Sequence, residues 1–131
     1  MLSLLALLDS NTVRDIQVGP GETLRTTSIG TGQPVVLIPG IFGGAYGFRR
    51  VVAPLVEQGY RCIVVEPLGF GWSSHPAQAD YSFAAQADRI GMALDSLGAS
   101  DVLIIAQSTG AAMAFRLSYR RPQLVLSLIH I

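Results

Sequence analysis

The sequence predicts an α/β fold: a predominantly parallel sheet with helices on both faces. Three observations carry that expectation. Continuous apolar runs, such as Val35, Val36, Leu37 and Ile38, read as strands buried on both faces. Stripes of apolar residues at helical spacing separate these runs. From Val35 onward the two patterns alternate, which calls for crossover connections and parallel pairing. Half of the 131 residues are hydrophobic and 14% are charged, enough apolar material for one packed core.

Taken in order, residues 13–18 and 23–29 form two short strands joined by the turn residues Gly19, Pro20 and Gly21. The strand 35–38 follows, then a glycine-rich loop, Pro39-Gly40-Ile41-Phe42-Gly43-Gly44. Phe48, Val51, Val52, Leu55 and Val56 recur at helical spacing, and Gly59 suits the helix stop. Residues 61–66 form another strand, and residues 67–80 a loop. Ser82 is placed to cap a helix whose apolar stripe is Phe83, Ala87, Ile90, Leu94 and Leu97, closed by Gly98. A strand over 102–106, a turn at Ser108, a helix to about Tyr119 and a strand over 124–131 complete the chain.

Composition narrows the function classes. Nine basic residues, all arginine, balance nine acidic ones, so no basic patch points to nucleic acid and no acidic run is present. Cys62 is the only cysteine, which excludes an internal disulfide and a cysteine-based zinc site. It lies in an apolar strand and reads as an inert core thiol. Residues 1–8 are apolar but end at Asp9, far short of a membrane span. A clipped signal peptide and an amphipathic start to the domain both remain open, so localisation is undetermined.

The most informative segment is Ala106-Gln107-Ser108-Thr109-Gly110. A serine flanked by small residues two positions away lies between a buried strand and a helix. A nucleophile projected from so sharp a turn sits in strained backbone, and larger flanking side chains collide with the strand and helix. Ligands of parallel α/β sheets bind beyond the carboxyl ends of the strands. The loops 39–44, 66–74 and 107–110 share that edge.

These segments resemble the alpha/beta-hydrolase superfamily. The strand 35–38 with Pro39-Gly40 is similar to the family's third strand and oxyanion loop, which usually reads His-Gly. Glu66-Pro67-Leu68-Gly69-Phe70-Gly71-Trp72-Ser73 resembles its Asp-x-x-Gly-x-Gly-x-Ser loop. Residues 106–110 resemble its nucleophile elbow, with Ala106 in place of the commoner glycine. The resemblance implies a truncated fold with about six of about eight strands. It makes Ser108 the catalytic nucleophile, with the backbone N–H groups of Ile41 and Thr109 as the oxyanion hole. The alternative for Ser108 is a serine that only caps its helix. Family members with aspartate at the elbow act as dehalogenases or epoxide hydrolases. Serine therefore implies hydrolysis of a small-molecule acyl substrate such as an ester or thioester, without metal or organic cofactor.

Other candidates carry less. His75 reads as a solvated loop histidine, and Glu66 as the organiser of its own loop. Asp101 lies at the opposite sheet edge. Trp72 and Phe42 read equally as acyl-pocket lining or packing. Arg49, Arg50, Arg120 and Arg121 read as solvated helix faces.

A serine nucleophile needs a base and a carboxylate, which this superfamily supplies in the order serine, acid, histidine. No Asp or Glu follows Asp101, and His130, the only later histidine, falls within the last strand. Residues 1–131 are thus expected to form a single incomplete domain, with 1–12 a variable leader. Leu126-Ser127-Leu128-Ile129-His130-Ile131 matches a translation of the transposase mosaic-end adapter used in sequencing libraries. Residues 126–131 are therefore expected to be adapter-derived, the alternative being a genuine sixth strand. An unprotected apolar edge strand is expected to make the isolated chain aggregate or bind hydrophobic dyes. The leading reading is a serine hydrolase whose isolated chain is inactive. The rival is a binding protein that keeps the fold without the triad, and a downstream acid followed by histidine distinguishes them.

Overall fold

The computed structural model describes residues 12–41 and 43–131. The strands are β1 (Thr12–Gly19), β2 (Glu22–Ile29), β3 (Gln33–Ile38), β4 (Tyr60–Val65), β5 (Val102–Ala106) and β6 (Val125–His130). The helices are α1 (Arg49–Glu57), entered through a 3₁₀ turn at Ala45–Phe48, then α2 (Phe83–Ser96) and α3 (Thr109–Arg120).

One sheet holds the strands in the order β1-β2-β4-β3-β5-β6. The β1–β2 hairpin pairs antiparallel, and β2 joins β4 antiparallel. The remaining pairs are parallel. The α/β expectation holds, and the predicted strands appear in the predicted order.

The continuous apolar runs divide by parity, since successive strand side chains point to opposite faces. Val35 and Leu37 of β3 join Cys62 and Val64 of β4 against Phe48, Val52 and Val56 of the first helical segment. Val36, Ile38, Ile63, Val65 and Ile104 lie on the other face, against Ile90 and Leu94 of α2 and Ala114 and Leu117 of α3. Burying a side chain of this size contributes about 1.5–3 kcal/mol. Each face therefore needs its own helical cover, and the sheet is sandwiched.

Local signals behave as their chemistry requires. Ser82 caps α2, its Oγ accepting the Ala85 N–H at 3.2 Å. Cys62 is fully buried, and desolvation pushes its thiol up to about 11. One expectation fails. Phe83 opens the α2 stripe but is 44% exposed, because it stands at the helix mouth beside the strand-end loops. Of the paired arginines, Arg49, Arg50 and Arg120 are exposed, as expected, and Arg121 is half-buried. Arg120 bonds Asp88 at 2.6 and 2.9 Å, and Arg121 bonds Asp95 at 2.8 and 3.2 Å, tying α3 to α2. Arg49 stacks on the Tyr46 ring, 3.9 Å from its centroid. Among the described residues no helix is long and apolar enough to cross a membrane.

Candidate active site

β5 delivers its chain end between β3 and β6, and the turn to α3 follows with no intervening loop. Gln107 donates its N–H to the Ile38 carbonyl at 3.1 Å, and Gly110 N–H closes back on the Gln107 carbonyl at 2.9 Å. Between them Ser108 adopts φ 52 and ψ −122. A positive φ is costly for a residue bearing a Cβ, of order 1–3 kcal/mol, and persists only where the surroundings enforce it. Gly110 is one such enforcement. A Cβ there lies 2.6 Å from both the Ile38 and Pro39 carbonyl oxygens, so only glycine lets α3 approach β3.

Ser108 is exposed, and its side chain makes no capping bond to α3. The helix-cap alternative therefore has no hydrogen bond behind it. The loop after β3 lies against the serine: a Cβ placed on Gly40 is 3.2 Å from Ser108 Cβ and 3.8 Å from its Oγ. Ile41 follows directly. Ile41 and Thr109 both line a cleft of about 390 Å³, with Leu68, Phe70, His75 and Met113 among the other walls. Among the described residues neither the Ile41 nor the Thr109 N–H donates to a backbone carbonyl. The buried Thr109 Oγ1 also lacks a partner there.

Glu66 organises its surroundings, as read from the sequence. It is 3% exposed, and its carboxylate lies against Gly44 and Gly71, between the loops after β3 and β4, where the Trp72 and Ala45 amides favour its charged form. Burial raises its pKa from the ordinary value; the two amides and Arg25 oppose that rise. A Cβ on Gly71 falls 2.1 Å from Glu66 Oε1, so the loop closes over the carboxylate only with glycine at φ +48. The Ser73 hydroxyl donates to the Glu66 carbonyl and fixes the far end of the loop.

The remaining candidates separate. His75 is exposed, as expected, yet it also lines the cleft. Trp72 is neither pocket lining nor packing. It is 77% exposed, outside the cleft walls, with the Arg25 guanidinium 5.7 Å from its ring centroid. Phe42 lies outside the described residues. Asp101 sits before β5 at the opposite edge, and His130 lies in β6, opposite Ala106. Among the described residues no group of three or more His, Cys, Asp or Glu is placed to hold a metal ion.

Sequence reasoning missed Gln86. It is 1% exposed on the buried face of α2, and both amide atoms bind the Leu68 backbone in the cleft wall. A signal existed: Gln86 falls between Phe83 and Ile90 on the apolar stripe, where a polar side chain needs a buried partner.

Residues 33–131 match the family described as alpha/beta hydrolase fold. The chain belongs to that family. It is 36% identical over 108 residues to a haloalkane dehalogenase of Mesorhizobium japonicum, covering 82% of this chain and 34% of that protein. It is 37% identical over 119 residues to lipase 1 of Psychrobacter immobilis, covering 88% and 37%. The solved esterase of Exiguobacterium antarcticum superposes with a TM-score of 0.85 at 29% identity, covering 91% of this chain and 44% of that one. The chain thus spans about a third of the length of the curated relatives it matches.

Proposed function

We propose that the protein is a serine hydrolase that cleaves an ester, thioester or other acyl substrate through an acyl-enzyme on Ser108. The observation that carries this reading is an exposed serine at φ 52, between a buried strand and a helix, with its side chain unspent on capping. Serine also distinguishes the chain from family members that use aspartate at the elbow, and favours the lipase and esterase side of its relatives.

In this mechanism Ser108 Oγ attacks the acyl carbonyl carbon while its proton passes to a base. The carbonyl oxygen becomes an oxyanion and takes hydrogen bonds from the N–H groups of Ile41 and Thr109. Removing one such donor typically costs about 100-fold or more in rate. The amino terminus of α3 adds a favourable field for that charge. Collapse breaks the bond to the leaving group, which receives the proton. Water then attacks the acyl-serine, releasing the acid and restoring the hydroxyl. The family's order assigns the base and its orienting carboxylate to positions after the nucleophile, and residues 109–131 hold no Asp or Glu. Residues 1–131 supply the nucleophile, the oxyanion donors and one wall of the pocket.

A fluorophosphonate probe on the complete protein tests this. Labelling is expected on Ser108 and absent in Ser108→Ala. A folded protein that takes up no probe, with no acid and histidine encoded downstream, overturns the reading.

A further inference from the structure

In the cleft wall formed by the loop after β4, the Leu68 backbone is bonded from α2 by the Gln86 side chain. Gln86 Oε1 accepts the Leu68 N–H at 3.1 Å, and its Nε2 donates to the Leu68 carbonyl at 2.8 Å. Leu68, Gly69 and Phe70 line the cleft together with Ile41 and Thr109. The amide is itself held in place. Arg89 NH1 reaches Gln86 Oε1 at 3.4 Å. That guanidinium, 6% exposed, bonds Glu22 at 2.7 Å and the Asp80 carbonyl at 2.6 Å. A continuous polar chain therefore runs from the β1–β2 turn through Arg89 and Gln86 to the cleft wall. With a guanidinium beside it, Oε1 is fixed as the acceptor and Nε2 as the donor, which sets one orientation of the amide.

We infer that Gln86 is a positioning residue of the cleft, one that fixes the Leu68–Phe70 wall and so decides which acyl groups fit beside Ser108. This rests on the serine-hydrolase reading for the identity of the ligand. Gln86 spends both amide atoms on Leu68, so it offers the substrate no polar group of its own. Its effect is on shape. The walls it aligns are apolar, Leu68 and Phe70 facing the same space as Ile41 and Met113. The ligand they suit is an unbranched or aromatic apolar acyl chain, and a short acetyl group gains little from them.

Gln86→Leu in the complete protein tests this, since leucine is close in volume but cannot bind Leu68. With 4-nitrophenyl hexanoate, KM is expected to rise about tenfold, whereas kcat/KM for 4-nitrophenyl acetate stays within about twofold. Equal losses on both esters, tracking a loss of fluorophosphonate-titratable enzyme, indicate a merely structural residue and overturn the inference. Arg89→Met, which frees Oε1 but leaves the Leu68 bonds possible, is expected to give the same selectivity change at smaller size. Binding of hexanamide to Ser108→Ala, with and without Gln86→Leu, gives a readout independent of turnover. A tenfold weaker Kd in the double variant supports the positioning role even if no ester is hydrolysed, a result that sinks only the hydrolase reading. An unchanged Kd overturns the inference.

Discussion

The two ends of β5 carry the same backbone strain and put it to different use. Asp101, entering the strand, has φ 51, and Ser108, leaving it, has φ 52; among the described residues these are the two non-glycine positions with positive φ. At the amino end the strain closes a turn. Asp101 is a residue type that tolerates left-handed backbone, and its carbonyl accepts Gln33 Nε2 at 2.5 Å. At the carboxyl end the strained residue is surrounded by glycines that let β3 and α3 crowd it, while its own side chain stays clear. Strain alone therefore does not mark a functional site. What sets Ser108 apart, and supports the proposed role, is that Gly40 and Gly110 crowd it without side chains while its own makes no capping bond.

The largest test of this contrast is a methyl group at each end. Gly110→Ala drives a Cβ to 2.6 Å from two backbone carbonyl oxygens, and a loss of about 3 kcal/mol is expected. Gly98→Ala, before β5, meets nothing within 4 Å and carries only the cost of φ +66, about 1–2 kcal/mol. Urea midpoints of the two variants read the difference, and equal losses break the comparison.

Relieving the strain gives a smaller effect of opposite sign. Ser108→Gly is expected to stabilise the fold by about 1–2 kcal/mol while abolishing fluorophosphonate labelling. Asp101→Gly is expected to gain under about 1 kcal/mol, since aspartate visits this region at lower cost. A larger gain at Asp101 than at Ser108 means the strain at the elbow is not held for function.

The two edges also differ in the sign of their pH dependence. Burial raises the Glu66 pKa, so its contribution to stability is full below about 4.5 and is lost as pH rises through the raised value. At the other edge Arg121 lowers the Asp95 pKa by hydrogen bonding. That contribution is present above about 3.8 and is lost as pH falls through the lowered value. Raising the pH from about 4 to 7 is thus expected to favour Glu66→Gln relative to the parent, and Asp95→Asn is expected to lose its disadvantage only in stronger acid. Thermal melts from that stronger acid up to about pH 7 decide it.

The smallest signal comes from the middle of the sheet. With its thiol pushed up to about 11, Cys62 is expected to resist iodoacetamide at pH 8 in the native protein and to react on unfolding. Gly110→Ala is expected to speed that reaction, and Gly98→Ala to leave it nearly unchanged. A reverse order means that the amino end of β5, and not the elbow, controls opening of the core.

Much of this was legible in the residues. The period-two and helical patterns gave the strand and helix order, and the Ser108 turn follows from small residues flanking a serine between two apolar segments. The functions of Trp72 and Gln86 were not legible. An indole in a glycine-rich loop reads as lining or packing, but the loop closes over Glu66 and leaves the ring outside, against Arg25. Gln86 interrupts an apolar stripe, yet nothing local says that its partner is the backbone eighteen residues earlier.

By itself, then, the sequence determined the alternation of strand and helix, the division of the central strands β3 and β4 into two buried faces, and the bend that exposes Ser108. Those features depend on side-chain parity and backbone sterics within a few residues. Only the tertiary structure decided which loops meet at the strand ends and which buried polar groups hold them, as with Glu66 between Gly44 and Gly71, or Arg89 on Glu22. Such partners lie far apart in the chain. They are chosen by packing, because a buried donor or acceptor takes whichever complementary group the fold brings within reach.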